Sequence, residues 1–215
     1  MKQKTYPGYL ITFEGGEGGG KTTQSVRLRN RLSKAGRDVI VLREPGGTVI
    51  SEQIRKVVLS QGNTSMAFTT EVLLFQAARA QIYREIVIPS LKAGKVVIMD
   101  RSRDSSVVYQ GIVRGFGKDL IEQLNDLSTD NIYPNLTILL DLPVDVGLRR
   151  KEDSGEINRL DMEADGFHQK VKKAYLQLVK EDKSNRWVVI NAENDLDTVE
   201  SEIWKVVSKK LDLKV

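Results

Sequence analysis

The residues with the plainest chemical potential form one run, Gly15-Gly16-Glu17-Gly18-Gly19-Gly20-Lys21-Thr22. The spacing is G-x-x-x-x-G-K-[ST], a pattern suited to a polyphosphate. Glycines let successive backbone N–H groups turn inward around phosphate oxygens without Cβ clashes. Lys21 supplies a point charge for the β- and γ-phosphates, and the Thr22 hydroxyl is a ligand for Mg²⁺. With Thr23 a helix is under way, and its N-terminal dipole also favours an anion. A strand-like run precedes the glycines and a helical pattern follows them. In that context the run reads as a site for a nucleoside triphosphate such as ATP rather than as a flexible turn. The sequence contains no Asn-Lys-x-Asp motif, which argues against a GTP-reading switch protein.

Two further segments carry charge at the end of an apolar run. One is Val97-Ile98-Met99-Asp100-Arg101, and the other is Leu42-Arg43-Glu44-Pro45-Gly46-Gly47-Thr48. An Asp at the carboxyl end of a strand beside a phosphate loop holds Mg²⁺ through water. It reads equally as half of an Asp100–Arg101 ion pair. Two arginines aimed at one crevice suit a second phosphate, because guanidinium groups bind it bidentately. Glu44 could tether Arg43 or hold water on the metal. The Pro45-Gly46-Gly47 turn has a plainer reading as surface.

These groups need a frame. Five β-rich apolar runs, at 9–13, 39–42, 96–99, 136–140 and 187–190, are continuous rather than alternating. Strands buried on both faces of a parallel sheet read this way. Helical patterns lie between them. One covers 21–35 and is closed by Gly36. Another runs through Ile50, Ile54, Val57 and Val58. A long one, capped by Thr70, ends near Pro89, and a further one is marked by Leu120, Leu124 and Leu127. The last two cover 163–180 and 196–211. The expectation is an α/β fold, a doubly wound five-stranded parallel sheet flanked by helices, in a single domain over 1–215. The polar stretch 151–158 reads as an exposed loop or as a lid.

Bulk properties narrow the class. Among 215 residues, 40% are hydrophobic and 29% charged, as in ordinary globular proteins. There are no cysteines, which excludes disulfides, thiolate metal sites and a cysteine nucleophile. No apolar run reaches the ~20 residues of a membrane span. The start, Met1 to Tyr6, has no signal-peptide character. A cytoplasmic location and no membrane partner are expected. The net charge of +4 is compatible with anionic small molecules and is weak support for a nucleic-acid partner, so none is expected.

The strings FEGGEGGGKTTQ (13–24), LREPGGT (42–48), LLFQAAR (73–79), MDRSRDSSVVYQG (99–111) and INRLDMEADGFHQKV (157–171) resemble bacterial thymidylate kinases in order and spacing. The resemblance covers about residues 8–210. It implies a P-loop kinase fold and ATP-dependent phosphorylation of dTMP, with Mg²⁺. It also implies a homodimer formed through helices packed beside the sheet. Arg43 and Arg101 would hold the dTMP phosphate, Phe75 would stack on thymine, and Arg79 would bond a thymine carbonyl. Ser105, Ser106 and Gln110 would surround the base. Tyr109 would pack near the sugar 2′ carbon, and Glu17 would contact the 3′-hydroxyl. The lid, about 149–162, would carry catalytic cations. Among Arg149, Arg150 and Arg159, the resemblance favours Arg150 and Arg159, acting with Lys21 and Arg101. The chain departs from its relatives at Ser102, where they have Tyr or His; this bears on contacts beside the acceptor phosphate. His168, the single histidine, is assigned no catalytic role.

Overall fold

All five apolar runs join one sheet. A computed structural model describes residues 4–155 and 157–213. Its strands are β1 (Tyr9–Glu14), β2 (Val39–Arg43), β3 (Val96–Asp100), β4 (Leu136–Asp141) and β5 (Trp187–Asn191). The order is β2-β3-β1-β4-β5, with every neighbouring pair parallel. Met1–Gln3 of the polar start, Glu156 of the lid and residues 214–215 lie outside the described residues. Each strand extends one residue past its apolar run, ending on Glu14, Arg43, Asp100, Asp141 or Asn191. Those polar ends share the carboxyl edge, where ligands bind in open α/β sheets.

The three central strands are buried along nearly their whole length, as continuous apolar runs require. β2 and β5 are only partly buried because they are the edges. Successive side chains point to opposite faces. Ile11 and Phe13 pack with Leu28 and Leu32 of α1 (Lys21–Lys34). Val199, Ile203 and Val207 of α9 (Leu196–Lys210) join that face. Leu10, Val97 and Met99 face the other way, toward Ile82, Tyr83 and Val87. Each such buried aliphatic side chain contributes about 1.5–3 kcal/mol.

The remaining helices are α2 (Val49–Leu59), α3 (Phe68–Ile82), α4 (Ile88–Lys92), α5 (Arg103–Ser106), α6 (Lys118–Thr129), α7 (Val144–Asp153) and α8 (Asp165–Glu181). Two expectations are corrected. Thr70 does not cap the third helix, which begins at Phe68 after Ala67. Nor does the helical rod stop near Pro89: a π-turn, Tyr83–Val87, carries it into α4. That wider turn shifts the backbone bonding to i→i+5 just ahead of the proline, which lacks an N–H. A second π-segment, Val107–Val113, continues α5 and gave no periodic signal in the sequence. On α6 the buried face is Ile121, Asn125 and Ser128, whereas Leu120 and Leu127 are exposed.

α5 is anchored by a partly buried ion pair. Arg186, just before β5, holds both oxygens of Asp104 at 2.7 Å. It also donates to Thr137, whose hydroxyl meets Thr12 at 3.0 Å. Among the described residues, no helix is long and apolar enough to cross a membrane.

Candidate active site

The glycine run bridges β1 and α1. Gly20 precedes the helix with φ 79°, and no side chain caps the first turn, so its N–H groups face the loop. Gly18 has φ 66°, and a Cβ there would meet the Gly147 carbonyl at 2.1 Å. α7 therefore presses its backbone against the loop. Lys21 is buried, and its ammonium is folded onto the Gly16 carbonyl at 2.6 Å and the Gly15 carbonyl at 3.4 Å. Burial, then the neighbouring Arg101, pull its pKa down to about 8, against the carboxylates of Glu17, Asp100 and Glu14. The Thr22 hydroxyl donates to Asp100 at 2.5 Å, so the two expected metal ligands are neighbours.

Arg101 turns with φ 68°, a left-handed conformation that costs roughly 1–2 kcal/mol outside glycine. The turn brings its guanidinium back across β1. There NH1 donates to the Gly15 carbonyl at 3.0 Å and NH2 to Glu17 at 2.7 Å. Glu17 also accepts from the Tyr109 hydroxyl at 3.1 Å. Burial raises the Glu17 pKa, but Arg101, Lys21 and the Tyr109 bond outweigh it and hold the carboxyl at about 2. Behind them Glu14 accepts from Ser105 at 2.6 Å, Tyr175 at 2.8 Å and the Ser102 amide at 2.9 Å. Burial, then repulsion from Asp104, push Glu14 up to about 7 against the pull of Ser105, Arg101 and Tyr175.

Arg43 extends from β2 and donates to both oxygens of Glu52 at 3.1 Å. Glu44 tethers a different arginine from the one expected. It is buried and accepts from Arg79 Nε at 2.7 Å. The rest of the Arg79 guanidinium bonds Ser106, Asn125 and the Ser102 carbonyl at 2.8–3.0 Å. Ser102 lies behind the site: its hydroxyl meets that of Tyr83 at 2.9 Å and reaches Glu44 at 3.3 Å. The small residue leaves room for the Tyr83 hydroxyl.

The phosphate loop, Arg43, Glu44, Arg79, Asp100, Arg101 and Tyr109 open on one cleft of about 530 Å³, within the usual range for small-molecule sites. Its lining carries seven basic side chains against three carboxylates, an imbalance that calls for anionic occupants. Among the comparisons with known proteins, the thymidylate kinase family model matches residues 13–203. The chain belongs to the thymidylate kinase family. A thymidylate kinase of Geotalea uraniireducens is 45% identical over 210 residues, covering 95% of this chain and 98% of that one. Another, from a Geobacillus species, is 46% identical over 194 residues, covering 89% and 92%. The crystal structure of the thymidylate kinase from Ehrlichia chaffeensis aligns with TM-score 0.75 and 33% identity, over 93% of this chain and 98% of that chain.

Most site residues named from the sequence motifs and the family resemblance meet in the cleft. Glu17 to Thr23, Arg43, Phe75, Arg79, Asp100, Arg101, Ser105, Ser106, Tyr109, Gln110 and Arg150 all line it. Gly15 and Gly16 sit just behind, as acceptors for Lys21 and Arg101. The lid arginines separate. Arg150 donates to the Ala192 carbonyl at 3.0 Å on the cleft wall. Arg149 is exposed and pairs with Asp145 one turn back. Arg159 is buried against Glu71 and the Val58 carbonyl, and it is not among the cleft-lining residues. His168 is a packing residue, set edge-on to Phe167.

Sequence reasoning in this family member missed Arg55, Lys151, Glu14 and Tyr175. Arg55 lines the cleft from α2 and donates to the Pro45 carbonyl at 2.7 Å. Its one sequence signal is a charge three residues after Glu52, on the helix face that meets Arg43. Lys151 lines the cleft beside Arg150. Glu14 and Tyr175 are 161 positions apart, and no local pattern links them.

Proposed function

We propose that this protein transfers the γ-phosphoryl group of ATP to dTMP, giving ADP and dTDP for dTTP synthesis. The observation that carries the reading is the position of Arg101. Its guanidinium belongs to the arginine-lined half of the cleft yet bonds the phosphate loop at Gly15, so two anion pockets share one wall.

The roles follow from charge and reach. Backbone amides of the loop and Lys21 receive the ATP phosphates. Arg43, Arg55 and Arg101 take the acceptor phosphate. Lys21, Arg101 and Arg150 neutralise the charge that spreads over the transferring group. The acceptor is a phosphate oxygen, already anionic near neutral pH, so no strong general base is required. Phe75, Arg79, Ser105, Ser106 and Gln110 form the base pocket. Tyr109 stands beside Glu17, where it would crowd a 2′-hydroxyl while Glu17 accepts from the 3′-hydroxyl. The 149–162 segment acts as a lid on a single catalytic domain, excluding water during transfer.

Magnesium fits the residues present. Thr22 and Asp100 offer two hard oxygen donors 2.5 Å apart on the cleft wall. Mg²⁺ needs only one or two such ligands beside water and phosphate. Among the described residues no cluster of three or more His, Asp or Glu competes for it. Thr22 would bind it directly and Asp100 through water; bound there, it neutralises β- and γ-phosphate charge.

We also propose a cytoplasmic homodimer. Supporting it, α3 packs between α2 and α6, and these three helices expose Ile50, Val57, Leu73, Leu120 and Leu127. Sedimentation should give twice the chain mass.

The reading is tested by ADP release across a panel of nucleoside monophosphates with Mg²⁺ and ATP. The highest kcat/KM is expected with dTMP. Release that is independent of any monophosphate would leave only an ATPase.

A further inference from the structure

One buried carboxylate joins the lid to the base pocket. Glu71, in the first turn of α3, is fully buried. Its Oε1 accepts from the amide of cleft-lining Gln110 at 2.9 Å. Its Oε2 accepts from Arg159 at 2.6 Å. Arg114 reaches both oxygens, at 3.5 and 3.4 Å, and is itself held by Glu163 and between the rings of Phe68 and Phe167.

Arg159 is fixed to more than Glu71. Its guanidinium donates twice to the Val58 carbonyl at 3.2 Å, and its amide bonds the Leu59 carbonyl at 3.2 Å. Nearby, Gln61 donates to the Ile157 carbonyl at 2.6 Å. The lid is thus docked on the end of α2. The same helix carries Glu52 and Arg55 at the acceptor phosphate pocket.

Resting on the phosphoryl-transfer reading for the occupant of the cleft, we propose that Glu71 is a positioning residue. It latches the lid through Arg159 and links lid closure to a base seated against Gln110. Glu71 and Glu163 balance Arg114 and Arg159, with the Glu71 side chain fully buried, both guanidinium side chains nearly so and Glu163 at the partly exposed rim. Removing one carboxylate leaves a buried guanidinium uncompensated, which is costly. Arg114 is pinned between aromatic rings, whereas Arg159 lies on the irregular segment between α7 and α8 and can swing out to water. The latch therefore opens the lid rather than the fold.

The test is Glu71→Gln in the full-length enzyme, with trypsin cleavage at the lid followed with and without dTMP. Wild type should be protected by dTMP about tenfold, a coupling of ordinary size. Glu71→Gln should lose that protection and raise KM for dTMP by about tenfold, with KM for ATP within about twofold. Undiminished protection in Glu71→Gln, or an equal rise in both KM values, overturns the latch. Should Glu71→Gln not fold, Arg159→Met and Arg159→Lys replace it. Met should abolish protection and Lys, which keeps the charge, should restore most of it. Protection intact in Arg159→Met alongside a collapse in kcat would make Arg159 a transfer cation instead. A wild-type enzyme that releases no ADP with dTMP would strike the function itself, and is read separately.

Discussion

The two halves of the cleft bind anions by different means. The donor half is main chain: glycine amides, an uncapped helix start and one lysine, all within residues 15–23. The acceptor half is side chain: arginines from β2, α2, α3 and the turn after β3, each steered by a separate carboxylate or carbonyl. A main-chain cradle depends on local backbone shape and tolerates change elsewhere. A pocket of guanidinium groups depends on every tether, and each tether lies on another element. The donor half should therefore fail chiefly through its own residues, whereas the acceptor half should also fail through its supports.

The largest expected effect is on the donor side. Lys21→Ala should lower kcat/KM by about 10³-fold, as loss of a single preorganised charge does, while the thermal melt stays near wild type. Comparable turnover would remove the phosphate-loop assignment. On the acceptor side, Arg79→Ala should lose both function and stability. Glu44 is then left buried without its partner, at a cost of about 3–5 kcal/mol in chemical denaturation. KM for dTMP should rise about 100-fold and that for ATP little, since a bond to a charged group contributes about 1.5–3 kcal/mol. Equal loss for both substrates would reject the base contact.

Tyr109→Ala should raise the relative use of ribonucleotide acceptors by about tenfold, the scale of small steric discrimination. An unchanged deoxy-to-ribo ratio would count against the sugar gate. The smallest effect is a pH slope. Folded Glu14 keeps its proton up to about pH 7, whereas the ordinary value is 4.5. The folded state thus holds more protons between these values, and this group's contribution to stability falls as pH rises through that window. The difference in unfolding free energy between wild type and Glu14→Gln should move in that direction from about pH 4.5 to 7 and then level off. A pH-independent difference would mean that Glu14 is ionised throughout.

What the sequence determined by itself is whatever is written in neighbouring residues. The Gly15–Thr22 spacing, the five continuous apolar runs and the polar residue ending each strand all act over one or two turns of chain. They led to the parallel sheet and to its carboxyl edge. The family resemblance then supplied roles for Phe75 and Tyr109, which base rates alone would have assigned to packing, and for Arg79. Tertiary structure decided the pairings. Glu44 holds Arg79 rather than Arg43, and Arg43 pairs instead with Glu52, whose carboxylate also accepts from the Gly47 amide. Arg159 sits on Glu71 rather than in the cleft, and Ser102 makes room for Tyr83. The π-segment Val107–Val113 carries both Tyr109 and Gln110, and both line the cleft. An ion pair between residues 88 positions apart has no signature in either segment, since a carboxylate accepts any guanidinium the fold brings within reach.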